Sequence, residues 1–210
     1  NFTSFLEQER VINPDSRTNC RVGLSKVSYS RKLSALRSFF DYLFVKTEQI
    51  DHNPMKTIGS PKAARREPKY LTMDEALSLL RAIDGPHKER DYCIITLFLV
   101  CGLRVSELVG LNLGSIRSDN SLKVLGKGNK ERVVPFGAPA ARALSDYVER
   151  ARPALVHRAA TEDPPRVTPD TFFLSDRGDA LTPSAVYRVV SRELAQEPGS
   201  GPRGPHTFRH

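Results

Sequence analysis

Four basic side chains stand out for where they fall among their neighbours. Arg104 follows Gly102, which closes the most apolar run of the chain, so its guanidinium would be anchored by the core that run builds. Lys127 lies between Gly126 and Gly128, at the tip of an expected hairpin. His206 and Arg209 are three apart where a helix should begin, and that spacing puts them on one face. The four share a cationic, donor-rich character. Such a set suits a phosphate whose charge grows in a transition state. Each has an ordinary reading as well. Arg104 could be a helix-end arginine paired with Glu107. Lys127 could be an exposed turn lysine, with Lys123 and Lys130 as competitors. His206 and His210 form an i,i+4 pair, but residue 207 is not Glu and no third ligand is evident, so no metal is expected. His210 reads as helix packing, and His52, His87 and His157 as solvated.

The elements that must position these residues can be read in turn. Leu33, Leu36, Phe40, Leu43 and Phe44 fall at helical spacing within residues 29–46, with Arg31, Lys32, Arg37 and Lys46 mostly off that stripe. Asn1–Arg10 could form a short helix, and residues 12–28 read as a loop. From Asn53 to Pro68 the chain is proline-rich, basic and aperiodic, which reads as an interdomain linker. Thr72 and Glu75 form a capping box, opening a helix with Leu77, Leu80 and Ile83 as its apolar face and Gly85-Pro86 as its stop. Residues 90–101 are apolar nearly all round and predict a buried helix ended by Gly102, with a short helix over 105–109. Residues 122–125 and 132–136 read as the two strands of the hairpin. A helix is expected over 138–152, a short strand at Phe172–Leu174, and a helix from Thr182-Pro183 to about Leu194. A Gly/Pro loop follows, and a new helix starts at Pro205-His206. A one-turn helix has no length over which to bury a face, so sequence flanking these 210 residues is expected at both ends.

Charge narrows the class of partner. Lys and Arg number 32 against 24 Asp and Glu, for a net charge of +8 and a pI near 9.6. The excess is clustered. Residues 61–70 hold Lys62, Arg65, Arg66 and Lys69 against Glu67 alone, and residues 116–136 hold five basic groups against two acidic. Clustered base favours a polyanion, most simply nucleic acid, although a charge run taken alone is more often a solvated face. At 39% hydrophobic and 27% charged residues, the chain is too apolar for wholesale disorder. No run approaches the length of a membrane span, and Asn1–Arg10, with Glu7 and Glu9, does not read as a secretory leader. Cys20, Cys93 and Cys101 are odd in number and form no CxxC, as in a reducing compartment.

Three segments resemble one family. Residues 101–108, Cys-Gly-Leu-Arg-Val-Ser-Glu-Leu, resemble the first conserved box of the tyrosine recombinases (phage integrase and Xer family). Residues 126–135, Gly-Lys-Gly-Asn-Lys-Glu-Arg-Val-Val-Pro, resemble their catalytic-lysine hairpin. His206-Thr-Phe-Arg209-His resembles the HxxR of their second box. Any one box is weak; three in order are specific. The resemblance covers most of the chain, residues 1–28 being the least typical.

That resemblance implies a mainly α fold with a small β-sheet (α+β). A partial helical DNA-clamp domain would span residues 1–58, a basic linker 59–70 and a helical catalytic domain 71–210. It implies that Arg104 and Arg209 grip the scissile phosphate and that Lys127 protonates the leaving 5′ oxygen. His206 would bond the phosphate and assist proton transfer, with Glu107 as structural support. The nucleophile would be a tyrosine forming a 3′-phosphotyrosyl link, which stores the bond energy, so neither ATP nor a cofactor is implied. In the family that tyrosine lies a few dozen residues after HxxR. Tyr29, Tyr42, Tyr70, Tyr92, Tyr147 and Tyr187 all precede it, so none is assigned, and these 210 residues are expected to bind DNA without cleaving it. Expected DNA contacts are Lys62, Arg65, Arg66, Lys130 and Arg132, with Arg31, Lys32 and Arg37 open between groove contact and plain surface. The implied partners are double-stranded DNA with specific sites and a homotetramer that passes through a Holliday junction, in the cytoplasm at the nucleoid. Two alternatives stand beside this: a non-catalytic DNA-binding relative, and a type IB topoisomerase with a similar pocket.

Overall fold

The computed structural model describes residues 10–12, 20–22, 26–59, 71–126, 128–195 and 204–208, with 10–12, 20–22 and His206 described by their backbone. The chain divides into two compact units, Asn1–Glu67 and Pro68–His210.

In the first unit, strands β1 (Arg10–Ile12) and β2 (Cys20–Val22) pair antiparallel, with Val11 opposite Arg21. This corrects the expectation of a loop through 12–28. Val11, Ile12 and Val22 favour extended backbone, but three-residue runs are too short to show alternation. Of the short helix expected over Asn1–Arg10, only Arg10 is described, and it opens β1. Helix α1 (Lys26–Asp41) starts three residues earlier than its stripe predicts and continues as a π-turn over Tyr42–Lys46. Leu33 is fully buried, while Arg31, Lys32 and Lys46 face solvent. Residues 53–58 are not linker-like. The Asn53 amide donates to Asp41 at 2.6 Å, its oxygen caps Met55 N at 2.8 Å, and Arg37 Nη2 donates to the Ile58 carbonyl at 2.5 Å. These bonds fold the 3-10 turn Pro54–Thr57 back onto α1 and bury Met55.

The second unit is built around one buried helix. Helix α2 (Met73–Ala82) opens on the expected capping box: Glu75 N donates to Thr72 Oγ1 at 3.2 Å and Thr72 N to Glu75 Oε2 at 2.7 Å. Its buried residue is Leu79, with Ile83 just beyond, whereas Leu77 stays 43% exposed, so the face is rotated from the expected one. Helix α3 (Lys88–Cys101) is buried from Cys93 to Phe98. Gly102 ends it at φ +57°, in the left-handed conformation that glycine adopts without Cβ strain, and its N–H returns to the Phe98 carbonyl at 3.1 Å. Helix α4 (Val105–Val109) follows. Strands β3 (Ile116–Arg117), β4 (Ser121–Leu125) and β5 (Glu131–Pro135) form an antiparallel sheet in that order. The two-residue β3 carries no sequence signal.

Helix α5 (Ala138–Asp146) does not stop at Arg152. It passes through a π-turn, Tyr147–Ala151, into α6 (Arg152–Thr161). Pro153 cannot donate to the turn before it, and the wider π-turn just ahead lets the helix continue past it. Phe172–Leu174 is buried but is not a strand: Leu174 forms an isolated bridge with Ala180, and the preceding Thr171 one with Asn112. Thr182 caps α7 (Pro183–Leu194) through Ala185 N at 3.2 Å. A 3-10 turn, Pro205–Phe208, completes the described residues.

The core of this unit joins Leu79, Ile94, Leu97 and Phe98 to Leu108, Leu122, Tyr147, Phe172, Phe173, Val186 and Val190. Burial pushes the Tyr147 hydroxyl up to about 12, and its oxygen accepts from Leu174 N at 2.9 Å. At the other end of α3 from Gly102 lies a partly buried ion network. Arg90 Nε meets Asp91 at 2.9 Å and Arg90 Nη1 meets Asp176 at 2.6 Å, while Arg192 of α7 pairs with Asp91 and Glu193. Asp91 and Glu193 are each 1% exposed, so this network fastens α7 and the turn at Asp176 to α3. Cys93 is fully buried on α3 and Cys101 half-buried in its last turn; burial raises both thiols, Cys101 to about 11.

Candidate phosphate-binding site

Arg104 sits between the end of α3 and the start of α4, where the backbone turns extended at φ −80° and ψ 155°. Glu107, one turn into α4, reaches back to it. Its Oε2 accepts from Arg104 N at 2.8 Å and its Oε1 from Arg104 Nη1 at 2.9 Å. The pairing of Arg104 with Glu107 is therefore present, and it is asymmetric: the Glu107 side chain is 1% exposed, the Arg104 side chain 46%. The acid is sunk and the guanidinium reaches solvent, with Nε and Nη2 bonded to nothing among the described residues.

A second guanidinium arrives from the hairpin. Arg132 Nη1 donates to Glu107 Oε1 at 2.5 Å and Nη2 to Oε2 at 3.0 Å. Burial pushes the Glu107 carboxyl up, but the bonds from the Arg104 backbone and from both guanidiniums outweigh it and hold its pKa below the ordinary value. One anion between two cations leaves the cluster positive. The hairpin ends close by: a Cβ on Gly126 would lie 3.6 Å from Glu107 Oε1. Gly126 N closes the tip on the Lys130 carbonyl at 2.8 Å, and Gly128 and Asn129 take positive φ. Lys127 itself lies outside the described residues, and Lys130 is exposed.

The segment bearing His206 is brought to the same place. Pro205 shares a cleft of about 400 Å³ with Arg104, Val105, Pro183 and Tyr187. Phe208 stacks on Phe98 of α3 at 5.9 Å, and Thr207 is buried. The His206 side chain and Arg209 lie outside the described residues, as do Lys62, Arg65 and Arg66. Arg31 and Lys32 are exposed on α1 of the first unit, while Arg37 is engaged by the Ile58 carbonyl.

Sequence reasoning missed two features of this site. It did not pair Arg132 with Glu107, although a signal exists. Val124 and Arg132 are register partners, as are Leu122 and Val134, so Arg132 occupies the inward row of the sheet where an apolar residue is expected. It also missed the Phe98–Phe208 stack, which nothing local announces. No group of three or more His, Cys, Asp or Glu suited to a metal occurs among the described residues, and no helix among them is long and apolar enough to cross a membrane.

A half-exposed arginine thus rests on a sunken carboxylate beside a glycine-tipped hairpin, and comparison with known proteins gives the family. The profile of the phage integrase family matches residues 69–210, and the chain belongs to that family. Within it, the chain is similar to proteins named Xer. It is 40% identical over 210 residues to tyrosine recombinase XerC of Caldanaerobacter subterraneus subsp. tengcongensis, covering all of this chain and 53% of that protein. It is 35% identical over 224 residues to tyrosine recombinase XerD of Listeria innocua serovar 6a, covering 100% of this chain and 72% of that one. The chain spans 53%, 62% and 61% of the length of three XerC relatives. Among solved structures, the Tn1549 transposon integrase in complex with circular intermediate DNA shares the fold at TM-score 0.68 and 20% identity, over 89% of this chain and 65% of that one. The XerH recombinase bound to difH substrate does so at TM-score 0.64 and 21% identity, over 99% and 62%. The expected α+β architecture with a small antiparallel sheet is the one observed.

Proposed function

We propose that the protein is a site-specific DNA recombinase that breaks and rejoins strands through a 3′-phosphotyrosine. The observation that carries this reading is the Arg104–Glu107 pair, an exposed guanidinium held by a sunken acid in the cleft that Pro205 also lines. Similarity to proteins named XerC and XerD supports it.

In this reading Arg104 and Arg209 bind the non-bridging oxygens of the scissile phosphate and stabilise the extra charge of the five-coordinate transition state. A tyrosine oxygen attacks phosphorus as the P–O5′ bond breaks. Lys127 delivers the proton to the 5′ oxygen, and His206 bonds the phosphate and assists removal of the tyrosine proton. The products are a 3′-phosphotyrosyl diester and a free 5′ hydroxyl. Bond order is conserved, so attack by another 5′ hydroxyl reseals a strand without ATP. The nucleophile is none of the six tyrosines of these 210 residues.

The partners in this proposal are two duplex sites held by a homotetramer, with a Holliday junction between the two strand exchanges, in the cytoplasm at the nucleoid. The basic segment 59–70 joins a DNA-clamping unit to the catalytic unit, and Lys62, Arg65, Arg66, Arg31, Lys32 and Lys130 meet phosphates. The test is covalent capture. Full-length protein should form an adduct with a nicked suicide duplex of its target site, and Arg104→Ala should cut the rate by about a hundredfold or more. Unchanged adduct formation by Arg104→Ala would overturn the assignment.

A further inference from the structure

We infer that Arg132 is a positioning residue for Arg104, acting through Glu107, so that the seating of the hairpin sets how many N–H groups Arg104 can offer to a phosphate. The inference rests on the phosphate-binding role proposed for Arg104.

A carboxylate has about four acceptor positions. All of those on Glu107 are occupied: Arg104 Nη1 and Arg132 Nη1 on Oε1, Arg104 N and Arg132 Nη2 on Oε2. Arg132 takes one position on each oxygen, in the forked geometry that arginine prefers. Arg104 is thereby restricted to a single side-chain bond, and its remaining N–H groups point elsewhere. Saturation of Glu107 is what leaves Arg104 available.

Removing Arg132 opens two positions on a carboxylate whose side chain is 1% exposed, where unpaired acceptors are costly. Arg104 already touches Oε1 and has a half-exposed, adjustable side chain, so it is the donor placed to fill them. It would close bidentately on Glu107 and turn its fork away from the phosphate. Arg132 is carried on β5 opposite Val124, within the hairpin. Any displacement of β5 moves its guanidinium off Glu107. A seated hairpin releases Arg104 to the phosphate; a lifted one lets Glu107 withdraw it.

The experiment measures the contribution of Arg104 to affinity, as the ratio of Kd with and without Arg104→Ala, on a mixed-sequence DNA duplex at low salt. Four backgrounds are compared: wild type, Arg132→Ala, Arg132→Lys, and Arg132→Ala with Glu107→Gln. The expected ratio is about tenfold in wild type. It should fall to about threefold or less with Arg132→Ala, take an intermediate value with Arg132→Lys, and recover with the added Glu107→Gln, because a neutral amide no longer attracts Arg104. Recovery separates positioning from two rivals: a simple phosphate contact by Arg132, or loss of hairpin stability, would not be rescued by removing the acid. If Arg132→Ala fails to fold by circular dichroism, Arg132→Lys with and without Glu107→Gln carries the comparison. A large Arg104 ratio that ignores residue 132 overturns this inference and leaves the phosphate role intact. A ratio of one in wild type overturns both.

Discussion

Phe208 lies almost parallel to Phe98, with the ring centroids 5.9 Å apart and the planes 3° from each other. Phe98 is one turn before Gly102 on α3, and Phe208 ends the 3-10 turn that carries His206. The stack therefore ties the second family box to the helix that delivers the first. Phe208→Ala is expected to cost about 3 kcal/mol in urea unfolding. Phe98→Ala should cost more, because Phe98 is 1% exposed at the centre of the core while Phe208 is 7% exposed at its edge. Equal losses would show that the turn is as central to the core as α3.

Gly102 holds φ +57° with open space where a Cβ would stand, so any penalty for a side chain there comes from the backbone alone. Gly102→Ala should destabilise by about 1 kcal/mol and Gly102→Val by more, with Gly102→Asn the mildest. Thermal unfolding of the three variants tests this ranking. A Val variant as stable as Asn would contradict the left-handed assignment.

Glu107 should dominate part of the acid response. Its folded pKa is lowered from the ordinary value of 4.5. The stabilisation is thus present above that value and lost as pH falls through the lower folded one. Glu107→Gln should cost about 2 kcal/mol at neutral pH, as charged hydrogen bonds to two arginines weaken. It should also flatten the decline of stability as pH falls below about 4.5. An unchanged acid limb in Glu107→Gln would show that other carboxylates carry it.

His87 has the same proton balance as Glu107, at higher pH. Burial first, then the neighbouring Arg90, lowers its pKa below 6.5, and Asp176 only partly compensates. Its Nε2 lies 3.2 Å from an Asp176 carboxylate oxygen. The unfolded chain binds the extra proton, so stability should fall as pH drops below about 6.5, and His87→Gln should remove that slope. A His87 resonance titrating above 6.5 would reverse the sign.

The basic segment makes a prediction that needs no target sequence. If Arg65 and Arg66 meet phosphates, Arg65→Ala with Arg66→Ala weakens binding about equally on all duplexes. It should also reduce the salt slope by roughly 0.9 for each phosphate that is no longer neutralised. An unchanged slope would place the segment away from DNA.

Much of this was legible in the sequence, for reasons that differ by element. The Thr72–Glu75 box, the apolar run ending at Gly102 and the hairpin around Gly126 and Gly128 are local signals, and all three appear in the structure. Elements whose cause is tertiary were not legible. Leu79 replaces Leu77 on the inner face of α2 because packing decides the rotation of a short helix. Strands β1 and β2 exist through pairing with each other. Helix α5 outruns Pro153 through a π-turn that no residue type encodes. At the site, the box residues were readable one by one, but the two-cation, one-acid arrangement needed the pleat of β5 to be known. The charges of Arg90 and Asp91 at the head of an otherwise apolar helix likewise found their meaning only in Arg192 of α7.

The buried thiols of α3 give the protein a chemical clock. A thiol reacts as its thiolate, and Cys93 is sealed from solvent with its ionisation suppressed by burial. Alkylation of Cys93 must therefore wait for α3 to open, whereas half-buried Cys101 can react sooner. The ratio of the two labelling rates measures how often the helix leading to Arg104 comes apart. Slower labelling in the presence of DNA would report, without any attached probe, that the phosphate and the core are coupled.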